Sequence, residues 1–263
     1  MTTTNPYAAP KAAVADETLV LSDDFVPGGL PQPASHGWDW IAGAWDLFKR
    51  QPGLWIGIWL LLMLMCFGVA LVPFLGNFVT MLVWPVLMAG IAIGCRALDE
   101  GRELELGHLF AGFQQRTSTL FAVGGLYLAG MTAISLAVFL VIGAGVFALM
   151  SGGEVDSGTV AAMSGIGVLL GVLVVMALML PLVMAIWFAP TLVVFHGMGA
   201  LDAMKMSFAA CLKNMLPFLL YGVIFFGLAI VATVPLLLGW LALGPVISIT
   251  VYTAYRDVYF KPR

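Results

Sequence analysis

Of 263 residues, 62% are apolar and only 10% are Asp, Glu, Lys or Arg, where a soluble domain carries about 25% charged residues. So few charges cannot wet a folded particle of this size, and a mean hydropathy of +1.04 makes lipid the main solvent, which excludes a water-soluble globule. The formal net charge of -3 excludes the basic bias of a nucleic-acid binder, so the expected partner is the lipid bilayer and not nucleic acid.

In chain order, residues 1–36 collect Pro, Ala, Thr, Asp and Gly without periodicity and end in VPGGLPQPASHG. That composition buries too little to offset ordering entropy, so a disordered cytoplasmic tail is expected ahead of a single transmembrane domain over 37–263. The opening twenty residues hold one lysine and no continuous apolar run. A cleavable signal is therefore not expected, and the first span is left to direct insertion.

Four stretches contain no Asp, Glu, Lys or Arg: 51–95, 117–153, 157–201 and 214–255. Crossing about 30 Å of hydrocarbon takes about 20 helical residues, so the first and last, of 45 and 42 residues, each suit two spans joined by a tight turn. Pro73, Gly76 and Asn77 break the first into spans of about 54–72 and 78–95; Pro235 and the Leu238, Gly239, Trp240 region break the last into 217–234 and 240–256. The middle two are parted by the polar turn SGGEVDSG and each reads as one long helix, 118–150 and 158–188, tilted or projecting. Candidate helix breaks are Pro85, Pro181, Pro190 and Pro245; after Pro181, residues 181–196 suit either a kinked helix end or a re-entrant segment.

Charge asymmetry favours six crossings. All eleven basic residues then share one side, and the opposite side receives only Glu154 and Asp156. A seventh crossing would move Lys205, Lys213 and the C-terminal bases outward, against the positive-inside rule. The expectation is a multi-pass protein of a bacterial inner (plasma) membrane with N- and C-termini cytoplasmic.

Before each hairpin lies a short stretch with helical apolar spacing: Trp38, Ile41, Trp45 and Phe48; then Leu106, Leu109, Phe110 and Phe113; then Leu201, Met204, Phe208, Cys211 and Leu212. Each ends in polar or basic residues and suits an amphipathic helix in the headgroup plane. The fold class expected is an all-α polytopic bundle, three hairpins each preceded by a short interfacial helix. Two echoes support repetition: WPVLMAGIAIGCR and GPVISITVYTAYR each place Arg eleven residues after Pro, at Pro85 to Arg96 and Pro245 to Arg256, and ALD recurs at Ala97 and Ala200. Coincidence among common juxtamembrane patterns is the plainer alternative.

Catalytic chemistry is missing from the spans, which hold no ionisable Asp, Glu, Lys or Arg and no HExxH, GxSxG or P-loop. No enzyme, catalytic residue, cofactor or metal site is expected. His36, His108 and His196 are scattered at the rim and read as solvated or hydrogen-bonded; Cys66, Cys95 and Cys211 read as packing residues. Arg96 with Asp99, and Arg256 with Asp257, end the second and sixth spans, where anchoring to helix dipoles and lipid phosphates is the simple reading. With Lys49 and Arg50 on the first interfacial helix, and Lys205 and Lys213 on the third, they form a candidate cytoplasmic ring for lipid or a partner. Tyr252 and Tyr255 suit an aromatic belt, and Gly90 and Gly94, one turn apart, suit close helix packing or self-association.

The strings WDWIAGAWDLFKRQPGLWIGIW (38–59), GCRALDEGRELELGHLFAGF (94–113), FAPTLVVFHG (188–197), AMKMSFAACLKNMLPFLLYG (203–222) and AYRDVYF (254–260) resemble an uncharacterised proteobacterial integral inner-membrane protein family. The interfacial-helix-plus-hairpin pattern is more loosely similar to the membrane domain of some glycerophosphodiester phosphodiesterases, without their catalytic motif. The resemblance implies an inner-membrane location and brings no substrate. The function expected is non-enzymatic, organising lipid or recruiting a partner, a homo-oligomer or a membrane protein, at the cytoplasmic face. The alternative is a carrier or channel for a small neutral or amphiphilic solute, opened by the proline breaks.

Overall fold

The computed structural model describes residues 24–73, 75–151 and 157–261, of 141–151, 157–168 and 170 the backbone alone. Lys11 with the rest of 1–23, residues 152–156 with Glu154 and Asp156, and Arg263 lie outside the described residues. The chain is helical: α1 His36–Arg50, α2 Pro52–Ala70, α3 Leu75–Asp99, a 3-10 helix Leu106–Phe113, α4 Thr117–Ser151, α5 Ser157–Trp187, α6 Ala189–His196, α7 Ala200–Lys213, α8 Met215–Thr233 and α9 Trp240–Tyr259. Local chemistry sets several ends. Pro52 opens α2 at a position whose N–H has no helical partner anyway, and Gly197 closes α6 in the left-handed region at φ 57°.

Helices stand at all six places marked by the gaps between charges. Among the described residues, five stretches are long and apolar enough to cross a membrane: Pro52–Ala70, Leu75–Asp99, Thr117–Leu140, Gly171–His196 and Met215–Thr233. α9 is not among them. Its Ser, Thr and Tyr residues and the Arg256, Asp257 pair lower its hydropathy, and it is heavily buried in protein, with Ile249, Thr250, Tyr252, Ala254 and Tyr255 all enclosed.

With the short α6 counted as the end of α5, the element order runs short helix, long helix, long helix three times over. Packing follows that order as a ring. The closing helix of each unit packs on the short element of the next: α3 on the 3-10 helix, α5 and α6 on α7, and α9 back onto α1. α3 also touches both α6 and α9, so the segments that carry the Pro85 and Pro245 echo meet, together with the one that holds Pro190. Half of the α3 span is buried, against 17% or less of the other four; α3 is a central helix, whereas α2, α4, α5 and α8 present apolar sides such as Leu64, Phe67, Phe139 and Phe226 outward.

Three of the four expected helix breaks are not breaks. α3, α5 and α9 run through Pro85, Pro181 and Pro245 without interruption, since one missing donor leaves most of the helical ladder intact and packed neighbours hold the rest. Only Pro190 sits at an interruption, and a second residue completes it. The Ser207 hydroxyl of α7 accepts from the Phe188 N–H at 2.9 Å and donates to the Met184 carbonyl at 2.7 Å. It is inserted where the 184 to 188 bond of a continuous helix would lie, a recognised cause of kinking. Residues 181–196 are thus a kinked helix end.

The disordered tail expected over 1–36 does not hold for residues 24–35, and the rest of that expectation lies outside the described residues. Residues 24–35 form a strap along the end of α9: Phe25 and Phe260 pair as an antiparallel bridge, Val26 N–H donates to Tyr259 O at 2.8 Å, and Leu30 N–H to Val258 O at 2.7 Å. Composition pointed to disorder, but these backbone bonds satisfy several of the strap's polar groups. Asn214 accepts from Gln32 N–H and donates to Leu30 O, while Lys213 Nζ donates to Gly28 O at 2.9 Å. The first and last described segments therefore lie side by side.

α1 also departs from a simple headgroup-plane helix. Its Trp40, Ile41, Ala44, Leu47 and Phe48 are buried, facing α9 and α8, while Trp38 and Trp45 stay exposed. The apolar stripe is divided between protein and surroundings.

Candidate functional site

α1, α9, the end of α3 and the strap enclose a cleft of about 530 Å³. Helical spacing builds one wall: His36, Gly43, Leu47 and Arg50 lie seven, four and three residues apart, on one face of α1. Tyr252, Thr253, Arg256 and Asp257 from the last turns of α9 form the other. The Thr253 hydroxyl donates to the Trp40 carbonyl at 2.8 Å and ties the two walls together.

Asp257 organises one end. Its carboxylate accepts from His36 Nδ1 at 2.9 Å and from Trp40 Nε1 at 2.8 Å, and Gln32 Nε2 donates to its carbonyl at 2.6 Å. The other end gathers guanidinium groups at the C-terminus of α3. Arg50 donates to the Leu98 carbonyl at 2.7 Å, one of the last-turn acceptors a helix leaves open, where a cation also meets the negative end of the dipole. Arg256 pairs with Asp99, which also accepts from the Tyr252 hydroxyl at 3.1 Å.

Of the rim residues singled out in the sequence, Arg50, Asp99, Arg256 and Asp257 meet in this cleft. The others do not. Lys49 pairs with Asp46 at 2.8 Å in the open, an arrangement worth little in water. Arg96 bonds Glu100 at 2.8 Å and lies over the Phe195 ring, 5.0 Å from its centre. Lys205 is exposed on α7, and Lys213 holds the strap. Glu100 takes hydrogen bonds from Arg102 and then Arg96, which hold its carboxyl below the usual range.

Each histidine has a partner: His36 on Asp257, His108 Nδ1 accepting from Glu105 N–H at 2.9 Å, and His196 with the Tyr255 hydroxyl at 2.6 Å. The cysteines are free thiols; burial pushes the Cys211 thiol up to about 12, partly offset by a bond with Ser207, so it stays protonated. Tyr252 and Tyr255 are buried and not in a lipid-facing belt. Sequence reasoning missed Gln32, Trp40, Thr253 and Asn214, whose partners lie far along the chain. Among the described residues, no three His, Cys, Asp or Glu side chains converge in a metal-holding group.

A family model described as "Domain of unknown function (DUF7847)" matches residues 50–257. A Burkholderia thailandensis protein named as a probable inner membrane protein is 29% identical over 202 residues, covering 75% of this chain and 74% of the relative. No solved structure matches the chain.

Proposed function

The chain belongs to the DUF7847 family, and from that premise we propose that it is a six-span, non-catalytic protein of the bacterial inner membrane that organises phospholipid at the cytoplasmic face. The pairing of Phe25 with Phe260 supports an even number of crossings, because both ends of the described chain lie together. α9 supplies the sixth: a helix surrounded by protein needs less hydropathy than one facing lipid. Three hairpins with the bases inward then follow from the element order and the positive-inside rule. The looser likeness to phosphodiesterase membrane domains carries no activity to this chain.

The outward side of the short elements carries the lipid reading. Trp38 and Trp45, 53% and 45% exposed, stand on the helix that ends in Lys49 and Arg50. Leu106, Phe110 and Phe113 are exposed ahead of Arg116, and Leu201 and Leu212 flank Lys205 and Lys213. Amphipathic aromatic rings beside cations suit the headgroup layer of an anionic leaflet. The carrier alternative draws less support, because the break at Phe188 is closed: Phe188 is fully buried and bridged by Ser207.

Two measurements test this. In intact spheroplasts, cysteine introduced at Lys205 should resist an impermeant maleimide and cysteine at position 155 should react; labelling at Lys205 would overturn the orientation. Purified in native lipid discs, the protein should hold anionic phospholipid above its share in the bulk membrane. Trp45→Ser with Lys49→Glu should lower that excess by about half or more, each cation near the surface contributing about 1 kcal/mol. An unchanged annulus would favour partner recruitment or self-association by the same face.

A further inference from the structure

The cleft between α1 and α9 is not explained by a surface belt. Its lining carries both signs. Arg256 and Asp99 compensate one another, and Asp257 is taken up by His36 and Trp40. What remains is Arg50 and Lys261 against Asp24 and Asp46, the last sharing a solvent-screened pair with Lys49. A site for a bare anion needs surplus cations, and a site for a divalent metal needs converging carboxylates. This lining offers neither surplus, and its signs are arranged in space. The guanidinium groups of Arg50 and Arg256 gather at the end of α3, while Asp24 lies with the strap, its carbonyl bonded to the Lys261 N–H at 3.1 Å.

Gly43 adds an independent observation. It lies inside α1 with ordinary helical backbone, where glycine costs about 0.5–1 kcal/mol relative to alanine. No close approach requires it: a Cβ there would meet only Thr253, at 3.5 Å and beyond, an ordinary contact. Its missing side chain leaves room in the cleft it lines.

We propose that this cleft binds a small zwitterion in which a phosphate is joined to a primary ammonium, as in phosphoethanolamine. Arg50, which spends one of its five donors on Leu98, faces the phosphate at the end of α3, and the Asp24 carboxylate, which lines the cleft at the strap end, accepts from the ammonium. The ligand's source is either a phospholipid headgroup or a free solute. The headgroup source rests on the membrane reading given above; the chemistry does not.

The test uses the full chain in detergent, titrated calorimetrically with phosphoethanolamine, ethanolamine and inorganic phosphate. Phosphoethanolamine should bind at least about tenfold more tightly than either half, since each half leaves one set of charges unmatched. Gly43→Met fills the cleft and favours the helix, so affinity should fall about tenfold or more with the thermal midpoint held or raised. Asp24→Asn, at a partly exposed position, should weaken phosphoethanolamine binding without unfolding. In lipid discs, enrichment of phosphatidylethanolamine over phosphatidylcholine that disappears with Gly43→Met assigns the headgroup source, because a quaternary ammonium has no N–H to donate. Binding of the soluble compound alone assigns a free solute. Phosphate binding as tightly as phosphoethanolamine, no binding in either arm, or wild-type binding by Gly43→Met would overturn the proposal. An unchanged lipid annulus with intact phosphoethanolamine binding would remove the lipid-organising function and leave the cleft assignment standing.

Discussion

Gly112→Val should prevent the protein from accumulating in folded form. A Cβ at Gly112, in the 3-10 helix, would lie 2.1 Å from the Val86 carbonyl oxygen of α3, and one at Gly90 of α3 would lie 2.4 Å from the Leu109 carbonyl oxygen. Each element thus presents a glycine to the other's backbone, and neither obstacle is a flexible side-chain end that can swing away. Overpacking a core usually costs about 1–3 kcal/mol through side-chain adjustment. Here two backbones must separate, so the loss should exceed about 4 kcal/mol. The junction cannot yield cheaply, because Leu109 and Val86 are fully buried and α3 is the half-buried central helix. Gly107, in the same 3-10 helix, has open space within 4 Å, and Gly107→Ala should behave as wild type. Size-exclusion profiles and thermal midpoints in detergent check both. A Gly112→Val protein with a wild-type midpoint would show that the 3-10 helix is not seated on α3 as described.

The transmembrane helices were legible because insertion into hydrocarbon penalises charge, so gaps between charges mark helices directly. α2, at Pro52–Ala70, and α8, at Met215–Thr233, lie close to the stretches inferred that way. The short elements were legible from apolar periodicity, although whether Trp40 or Trp38 enters protein depends on α9, which no local pattern encodes. Partners distant in sequence hid the rest. The strap reads as disordered until Val26 meets Tyr259 and Lys213 meets Gly28. Tyr252 and Tyr255 read as belt residues until Asp99 and His196 take their hydroxyls. At the site, Arg256 and Asp99 were visible as rim charges, but their pairing across two helices was not. Pro85, Pro181 and Pro245 misled because proline chemistry states what a helix loses, and packing decides whether it breaks.

Asp257→Ala should loosen the α1 to α9 junction by about 2–4 kcal/mol. The carboxylate serves two donors, and they do not weigh equally. The Trp40 indole is 2% exposed, so its N–H, donated at 2.8 Å, loses its partner with no water to replace it, a penalty of about 1–3 kcal/mol. His36 has a partly exposed side chain and recovers hydration, so it contributes the smaller share. Gln32 bonds the Asp257 carbonyl and survives the substitution, which keeps the strap nearby but less firmly held. Asp257→Asn should restore more than half of the loss, because an amide oxygen still accepts from Trp40. Lys49→Ala, breaking a pair of exposed partners, should shift stability by less than about 0.5 kcal/mol. Thermal midpoints rank the three variants, and limited proteolysis within 24–36 reports the strap: cleavage should accelerate in Asp257→Ala and stay near wild type in Lys49→Ala. Equal loss in Asp257→Ala and Asp257→Asn would mean that the charge, not the Trp40 acceptor, holds the junction.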